Sequence, residues 1–266
     1  MTLVWRPGIL YDADALAYME LVKAADAAAG QTGGLEPGVV DAINDFVVGC
    51  KTDGIWSAIK ASCILAGART LNGALIPLAG TAPTNVNFVS GDYNRETGLA
   101  GDANTKYLNS NRALNADPLN SIHLSVYVST AANSGVGLIG NDDVSANTGE
   151  SAIYRNGINL NGRLRTPNTF STSAAPTTVG LIAVSRSTNA SIDFRAGGST
   201  TLITTYASAG SASSSQNIAV FSRDLANAAS RSNPRLAFYS IGESIDLAKL
   251  DTRVSALITA IGAAIP

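Results

Sequence analysis

The stretch Arg235–Ile261, RLAFYSIGESIDLAKLDTRVSALITAI, decides the fold. It opens as a strand, with Leu236 and Phe238 toward one side and Ala237, Tyr239 and Ile241 toward the other. Gly242-Glu243-Ser244 is a turn. From about Ile245 to Ala260 the apolar residues recur at helical spacing, and Leu247, Leu250, Val254, Leu257, Ile258 and Ile261 share one broad stripe that Gly262 closes. The stretch therefore reads as a central strand of a β-sandwich followed by a helix that closes the domain.

Upstream, residues 86–241 carry many short apolar runs separated by turn residues, the pattern of a sandwich or barrel. Ile122, Leu124, Val126 and Val128 alternate with His123, Ser125 and Tyr127, so one face of that strand is core. Val179–Val184 is apolar on both faces, as a strand covered on both sides should be. Asn156-Gly157 marks a hairpin between Ile153-Tyr154 and Ile158-Leu160. A second Asn-Gly pair, within Thr70–Ile76, suggests another hairpin.

The N-terminal part has a different texture. Asp12 and Asp14 suit the start of a helix running to about Ala29, because carboxylates satisfy free N–H groups there and oppose the dipole. Pro37 opens a second helix with Val39, Val40, Ile43, Phe46 and Val47 on one face. Thr52 caps an expected third helix bearing Ile55, Trp56, Ile59 and Cys63. The chain divides into an arm and helical attachment region (1–66), a connector (67–85) and a β-sandwich with its C-terminal helix (86–266). The expected class is mainly β, an antiparallel sandwich with a small helical region before it and a helix after it.

Composition narrows the function. Charged residues are 14% of the 266, against about 25% in ordinary globular proteins. Ser, Thr, Asn and backbone must therefore carry the surface, which suits a subunit packed against other subunits. Net charge is -2, divided as -4 over residues 1–60 and +2 over the rest. Without a basic stripe, nucleic-acid binding is not expected. No run approaches the length of a membrane span, and Met1–Pro7 lacks a charged and then apolar leader. Synthesis and folding in a cytoplasm are expected. Cys50 and Cys63 read as buried free thiols, with a disulfide as the alternative.

Candidate chemistry is sparse. His123 points off the core and reads as a surface or interface histidine. No motif of the common hydrolases or nucleotide binders occurs in a supporting context. Tyr93, Asn94 and Arg95, with Tyr107 and Asn109, combine rings, amides and charge as a carbohydrate contact does. The same residues are also ordinary loop chemistry. Asp142 and Asp143, with Glu150 nearby, offer oxygen ligands for Ca²⁺, or simply a polar turn. No other cofactor is expected. Arg112, Arg155, Arg163, Arg165, Arg186 and Arg195 read as solvated or interface residues.

GDYNRETGLAGDANTKYLNSNR (Gly91–Arg112), NSIHLSVYVST (Asn120–Thr130), the closing stretch and the helical leader Ala42–Leu75 resemble virion proteins of tailed bacteriophages. The resemblance runs from about residue 36 onward. It implies a concanavalin A-like, laminin-G-like jelly roll on the virion and carries over no catalytic residue. The expected role is a fibre or receptor-binding protein whose N-terminal helices attach it to the particle. Its expected partners are other virion proteins, copies of itself (a trimer, from virion geometry) and host surface polysaccharide. One alternative is a capsid decoration or head fibre that stabilises the shell. Another is a glycan-degrading tail spike, whose available acids would be Asp193, Asp224 and Glu243.

Overall fold

The computed structural model of the chain describes residues 10–131, 136–142, 149–157, 159–171, 179–196 and 202–266. Two helices come first, α1 (Ala13–Ala28) and α2 (Pro37–Thr52), then strand β1 (Ile59–Ile64) and the one-turn helix α3 (Leu71–Ala74). The strands that follow are β2 (Thr84–Val86), β3 (Tyr93–Asn94), β4 (Gly98–Ala100), β5 (Tyr107–Ala113), β6 (Ile122–Thr130), β7 (Gly137–Asn141), β8 (Ser151–Asn156) and β9 (Asn159–Leu164). Then come β10 (Phe170–Ser171), β11 (Gly180–Arg186), β12 (Ser191–Ala196), β13 (Leu202–Ala207), β14 (Asn217–Val220), β15 (Arg235–Gly242) and the closing helix α4 (Leu247–Ala264).

The strands form two antiparallel sheets. One has eight strands in the order β13-β12-β11-β6-β15-β4-β3, with β1 also on β15. The other has seven, in the order β10-β9-β8-β7-β14-β5-β2. Ile122, Leu124, Val126 and Val128 of β6 pack between the sheets with Ile153, Leu160, Val184 and Tyr239. A second core lies on the other side of the eight-stranded sheet, where α1, α2 and α4 cover Leu181, Ala183, Ala237 and Phe238. The molecule is thus three layers deep: helices, eight-stranded sheet, seven-stranded sheet. Covering both faces of the central sheet explains why β11 is apolar throughout.

β15 is the axis of this arrangement. It pairs with β6 along one edge, and with β4 and then β1 along the other. The ladder slips between Leu236 and Phe238, so Ala237 is an extra residue. This bulge overturns the simple alternation expected for the strand. Ala237 and Phe238 both face the helices, while Leu236, Tyr239 and Ile241 face the inter-sheet core.

The helix ends follow local chemistry. Asp12 caps α1 by accepting from the Asp14 amide at 2.9 Å, and Pro37 stands at the start of α2. Asp246 caps α4 by accepting from Ala248 and Lys249 amides. The buried side of α4 is Leu247, Leu250, Val254, Leu257, Ile258 and Ile261, as its spacing predicts, although the helix runs past Gly262 to Ala264.

Two expected elements are corrected. The third helix is instead strand β1, whose residues pair with the second half of β15. Ile59 and Cys63 suit a helical stripe, yet positions 59, 61 and 63 also suit a strand, and long-range pairing decides. The segment 1–66 therefore contributes a strand to the sheet and two helices to a shared core. The hairpin at Thr70–Ile76 is instead α3. The fully buried carboxylate of Asp26 accepts from the amides of Arg69 and Thr70, both at 2.9 Å, and from the Thr70 hydroxyl at 2.6 Å. A Cβ at Gly73 would run into that carboxylate. Cys50 and Cys63 are free and lie in different cores, on opposite sides of the eight-stranded sheet. Burial pushes each thiol up to about 12. Among the described residues no helix is long and apolar enough to cross a membrane.

Candidate functional site

The β8–β9 hairpin sets the first candidate. Its register pairs Tyr154 with Asn161 and Ala152 with Arg163. Ile153, Leu160 and Leu164 face the inter-sheet core, so Tyr154 and Arg163 stand on the outer face of the seven-stranded sheet. No described helix packs on that face. The Arg223 guanidinium carbon lies 4.4 Å from the Tyr154 ring centroid and that of Arg163 lies 5.4 Å away. Arg163 Nη2 donates to the Tyr154 hydroxyl at 3.3 Å. Asp142 meets Arg223 at 2.9 Å through Oδ2 and Arg163 at 3.3 Å through Oδ1, and Glu150 also pairs with Arg163.

This network is largely withdrawn from water. The side chains of Asp142, Glu150 and Arg163 are 4%, 6% and 13% exposed. Burial pushes the Asp142 carboxyl up, against the pull of both guanidiniums, and burial also pulls Arg163 down. Among the described residues Arg163 Nε and Arg223 Nε have no hydrogen-bond partner. Two acids, two guanidiniums and a phenol thus crowd one patch, with donors left over. Such perturbed, convergent groups are where ligand chemistry is most often found.

A cleft of about 430 Å³ is the second candidate. It lies where the β11–β12 hairpin meets the connection from β15 to α4, lined by Ser185, Ser187, Asp193, Ser244, Ile245, Asp246, Leu247 and Ala248. Its walls are pinned by their own bonds. The Ile245 amide donates to Ser185 Oγ at 3.0 Å, and the Ser244 amide donates to Ser121 Oγ at 3.1 Å.

His123 is fully buried, which corrects its expected place at a surface or interface. It does point away from the inter-sheet core, but the Glu243–Ile245 segment lies over it. Its Nδ1 is 2.6 Å from the Glu243 carbonyl and its Nε2 is 2.9 Å from Ser240 Oγ. A carbonyl only accepts, so Nδ1 carries the proton and Nε2 accepts from Ser240. Ser240 Oγ lies 2.7 Å from Ser125 Oγ in turn.

The residues proposed for carbohydrate contact divide between the two sheets, on segments that the Asp92–Lys106 ion pair joins at 2.6 Å. Tyr93 and Asn94 are on β3, at the rim of the eight-stranded sheet, while Tyr107 and Asn109 are on β5 of the other sheet. Most are committed to the fold. The Tyr93 hydroxyl donates to the Ala68 carbonyl at 2.8 Å, and burial pushes this phenol far up. Asn94 Oδ1 accepts from the Glu96 and Thr97 amides. Arg95 binds Glu36 at 2.5 Å and the carbonyls of Gly67 and Ala68. Arg231 lies 4.7 Å over the Tyr107 ring, and Asn109 Oδ1 accepts from the Asn111 amide.

Of the two residues considered for Ca²⁺, Asp143 lies outside the described residues, and both oxygens of Asp142 face guanidinium ions. Positive charge thus sits where a cation would. Among the described residues no three His, Cys, Asp or Glu side chains are grouped to hold a metal ion. Of the acids available to a glycan-degrading site, Glu243 pairs with Lys60 at 2.9 Å, Asp224 Oδ1 accepts from the Ala226 amide at 2.8 Å, and Asp193 lines the cleft.

The arginines also depart from expectation. Arg186 is fully buried and donates to the carbonyls of Leu164 and Ser208, Arg165 is buried, and Arg195 is buried against Asp251. Sequence reasoning missed Tyr154 and Arg223 as site residues. The hairpin signal at Asn156-Gly157 held the clue to Tyr154, since it fixes which neighbours share its face.

No family model matches the sequence, and no curated protein matches it. Several solved structures show a weak likeness. Among them, the leech intramolecular trans-sialidase, complexed with 2,7-anhydro-Neu5Ac, aligns over 59% of this chain and 26% of its own, at 13% identity and a TM-score of 0.38. The chain thus spans about a quarter of the length of that protein. Domain 4 of AbnA, a GH43 extracellular arabinanase from Geobacillus stearothermophilus in complex with arabinotriose, aligns over 68% of this chain and 82% of its own, at 9% identity and a TM-score of 0.39.

Proposed function

We propose that the chain is a surface protein of a tailed-bacteriophage virion, a fibre or adhesion subunit that binds through its β-sandwich. The phrases Gly91–Arg112 and Asn120–Thr130 support the virion assignment by their resemblance to such proteins. The observation that carries the adhesive role is the two-sided build. One face of the central sheet is sealed by helices, while the outer face of the seven-stranded sheet presents the Arg223 guanidinium, 26% exposed, over the largely buried cluster of Asp142, Glu150, Tyr154 and Arg163. Exposed Leu16 and Leu21 of α1 and Val48 of α2 suit the helical side for seating on the particle. In this reading the chain binds and makes or breaks no bond. Its partners are other virion proteins, copies of itself (a trimer) and host surface polysaccharide, and many weak contacts add up through copy number.

Two measurements test it. Antibody labelling seen by electron microscopy should place the protein on particles, and absence of label would refute the virion assignment. The purified protein should bind host cells or their polysaccharide, with Arg223→Ala weakening that binding about tenfold, the loss of one charge-assisted contact. No binding to either would refute the adhesive role.

A further inference from the structure

We propose that the cleft at the head of α4 binds an uncharged saccharide. Its volume of about 430 Å³ falls within the roughly 300–1,000 Å³ of small-molecule sites and is far too large for a lone ion. The lining divides by chemistry. Exposed Ala248, with the outer edges of the largely buried Ile245 and Leu247, supplies an apolar wall for the C–H face of a sugar ring. Ser185, Ser187 and Ser244 supply hydroxyls that donate and accept, and Asp193 and Asp246 supply carboxylate acceptors.

The carboxylates decide the sign of the ligand. Asp193 Oδ1 accepts from the Thr205 hydroxyl at 2.6 Å, and Asp246 Oδ1 accepts from the first amides of α4. Neither acid forms an ion pair with another described residue, whereas Asp53, Asp117, Asp142 and Asp251 all do. The nearest bases along the chain are committed elsewhere: Arg195, next but one to Asp193, pairs with Asp251 at 2.7 Å, and Lys249 donates to the Asp53 carbonyl at 3.1 Å. Negative charge without a counterion repels uronates and sulfated sugars. Asp246 also occupies the end of α4, so the helix offers no anion site there. Neutral sugar hydroxyls instead find two acceptors held in place by bonds already made, which lowers the ordering cost of binding.

The ligand class rests on the adhesive reading above, and the experiment separates the two. The full chain is titrated by saturation-transfer NMR and calorimetry with chitotriose, maltotriose and galactobiose, and with trigalacturonate as the anionic comparison. One of the neutral probes should bind, and Asp193→Asn and Asp246→Asn should each weaken it about tenfold. Asn still caps a helix, so the melting temperature of Asp246→Asn should stay near that of the parent. Failure of every neutral probe to bind, preference for trigalacturonate, binding retained in both Asp variants, or loss of binding on adding EDTA would each overturn the cleft assignment. Host-cell binding that persists alongside any of those results would leave the adhesive reading standing.

Discussion

Mild acidification should destabilise this protein through a single imidazole. His123 is the only histidine in the chain. Burial drives it down from 6.5 to about 4, with the Glu243 carbonyl and Asp117 pulling the other way and Arg112 adding to the fall. The native state therefore resists a proton that the unfolded chain takes up near its ordinary value. The sign follows: His123 costs nothing above about pH 7, stability falls as the pH drops from 6.5 toward 4, and the loss then levels off. By pH 5.5 the loss is roughly 1 kcal/mol, and in full it is about 3 kcal/mol. Asp12, held down by its bond to Lys51, and Asp53, held down by Arg253, lose their stabilisation only as the pH falls through the carboxylate range. The Asp142 carboxyl, pushed up by burial, acts with the opposite sign and gains stability as the pH falls, so the comparison with His123→Gln assigns the loss between pH 7.5 and 5.5 to the histidine. Urea unfolding followed by circular dichroism at these two pH values should show the loss, and His123→Gln should remove the difference even if it lowers both values. In the native protein the one imidazole NMR signal should stay in its neutral form down to near pH 4. A titration midpoint near 6.5, or an equal pH drop in His123→Gln, would refute the reasoning.

Three further outcomes follow from the packing. Asp26→Ala leaves two amides and a hydroxyl around a buried gap. At about 1–3 kcal/mol for each orphaned group, it should cost several kcal/mol in urea unfolding, and Asp26→Asn should cost less. Removing residues 1–58 strips away α1 and α2, and so uncovers Phe238, which packs on Phe46, and the side of α4 that α2 covers. The product should aggregate or bind a hydrophobic dye, and a soluble, cooperatively melting fragment would contradict the three-layer core. Cys50 and Cys63 are buried thiols pushed up to about 12. A thiol reagent at pH 8 should label neither in the folded protein and both in denaturant.

What the sequence made legible was whatever depends on a residue's neighbours in the chain. The Asp12 cap, the stripe on α4 and the alternation of β6 are all local, and all are found where their spacing puts them. β1 was hidden because its partner, β15, comes from the opposite end of the chain, and nothing in Ile59–Ile64 itself separates a strand from a short helix. The candidate sites divide in the same way. Asp142 stands out at a strand end, yet its guanidiniums arrive from β9 and from the segment after β14, so no window of sequence contains the cluster. Asn94 looks like a sugar contact because amide chemistry at a surface and amide chemistry closing a turn are the same chemistry.

Alternation carries one further ambiguity, and it accounts for both His123 and Phe238. Period two tells which residues share a face, but not what lies beyond that face. In a two-layer sandwich the side opposite the core is solvent, and His123 would be wet. Here a third layer lies outside the central sheet, so the same geometry buries the imidazole. The extra residue at Ala237 uses that layer as well. It turns Phe238 to meet Phe46 of α2, with ring centroids 5.7 Å apart, and so fastens the helical layer to the strand on which both sheets' packing depends.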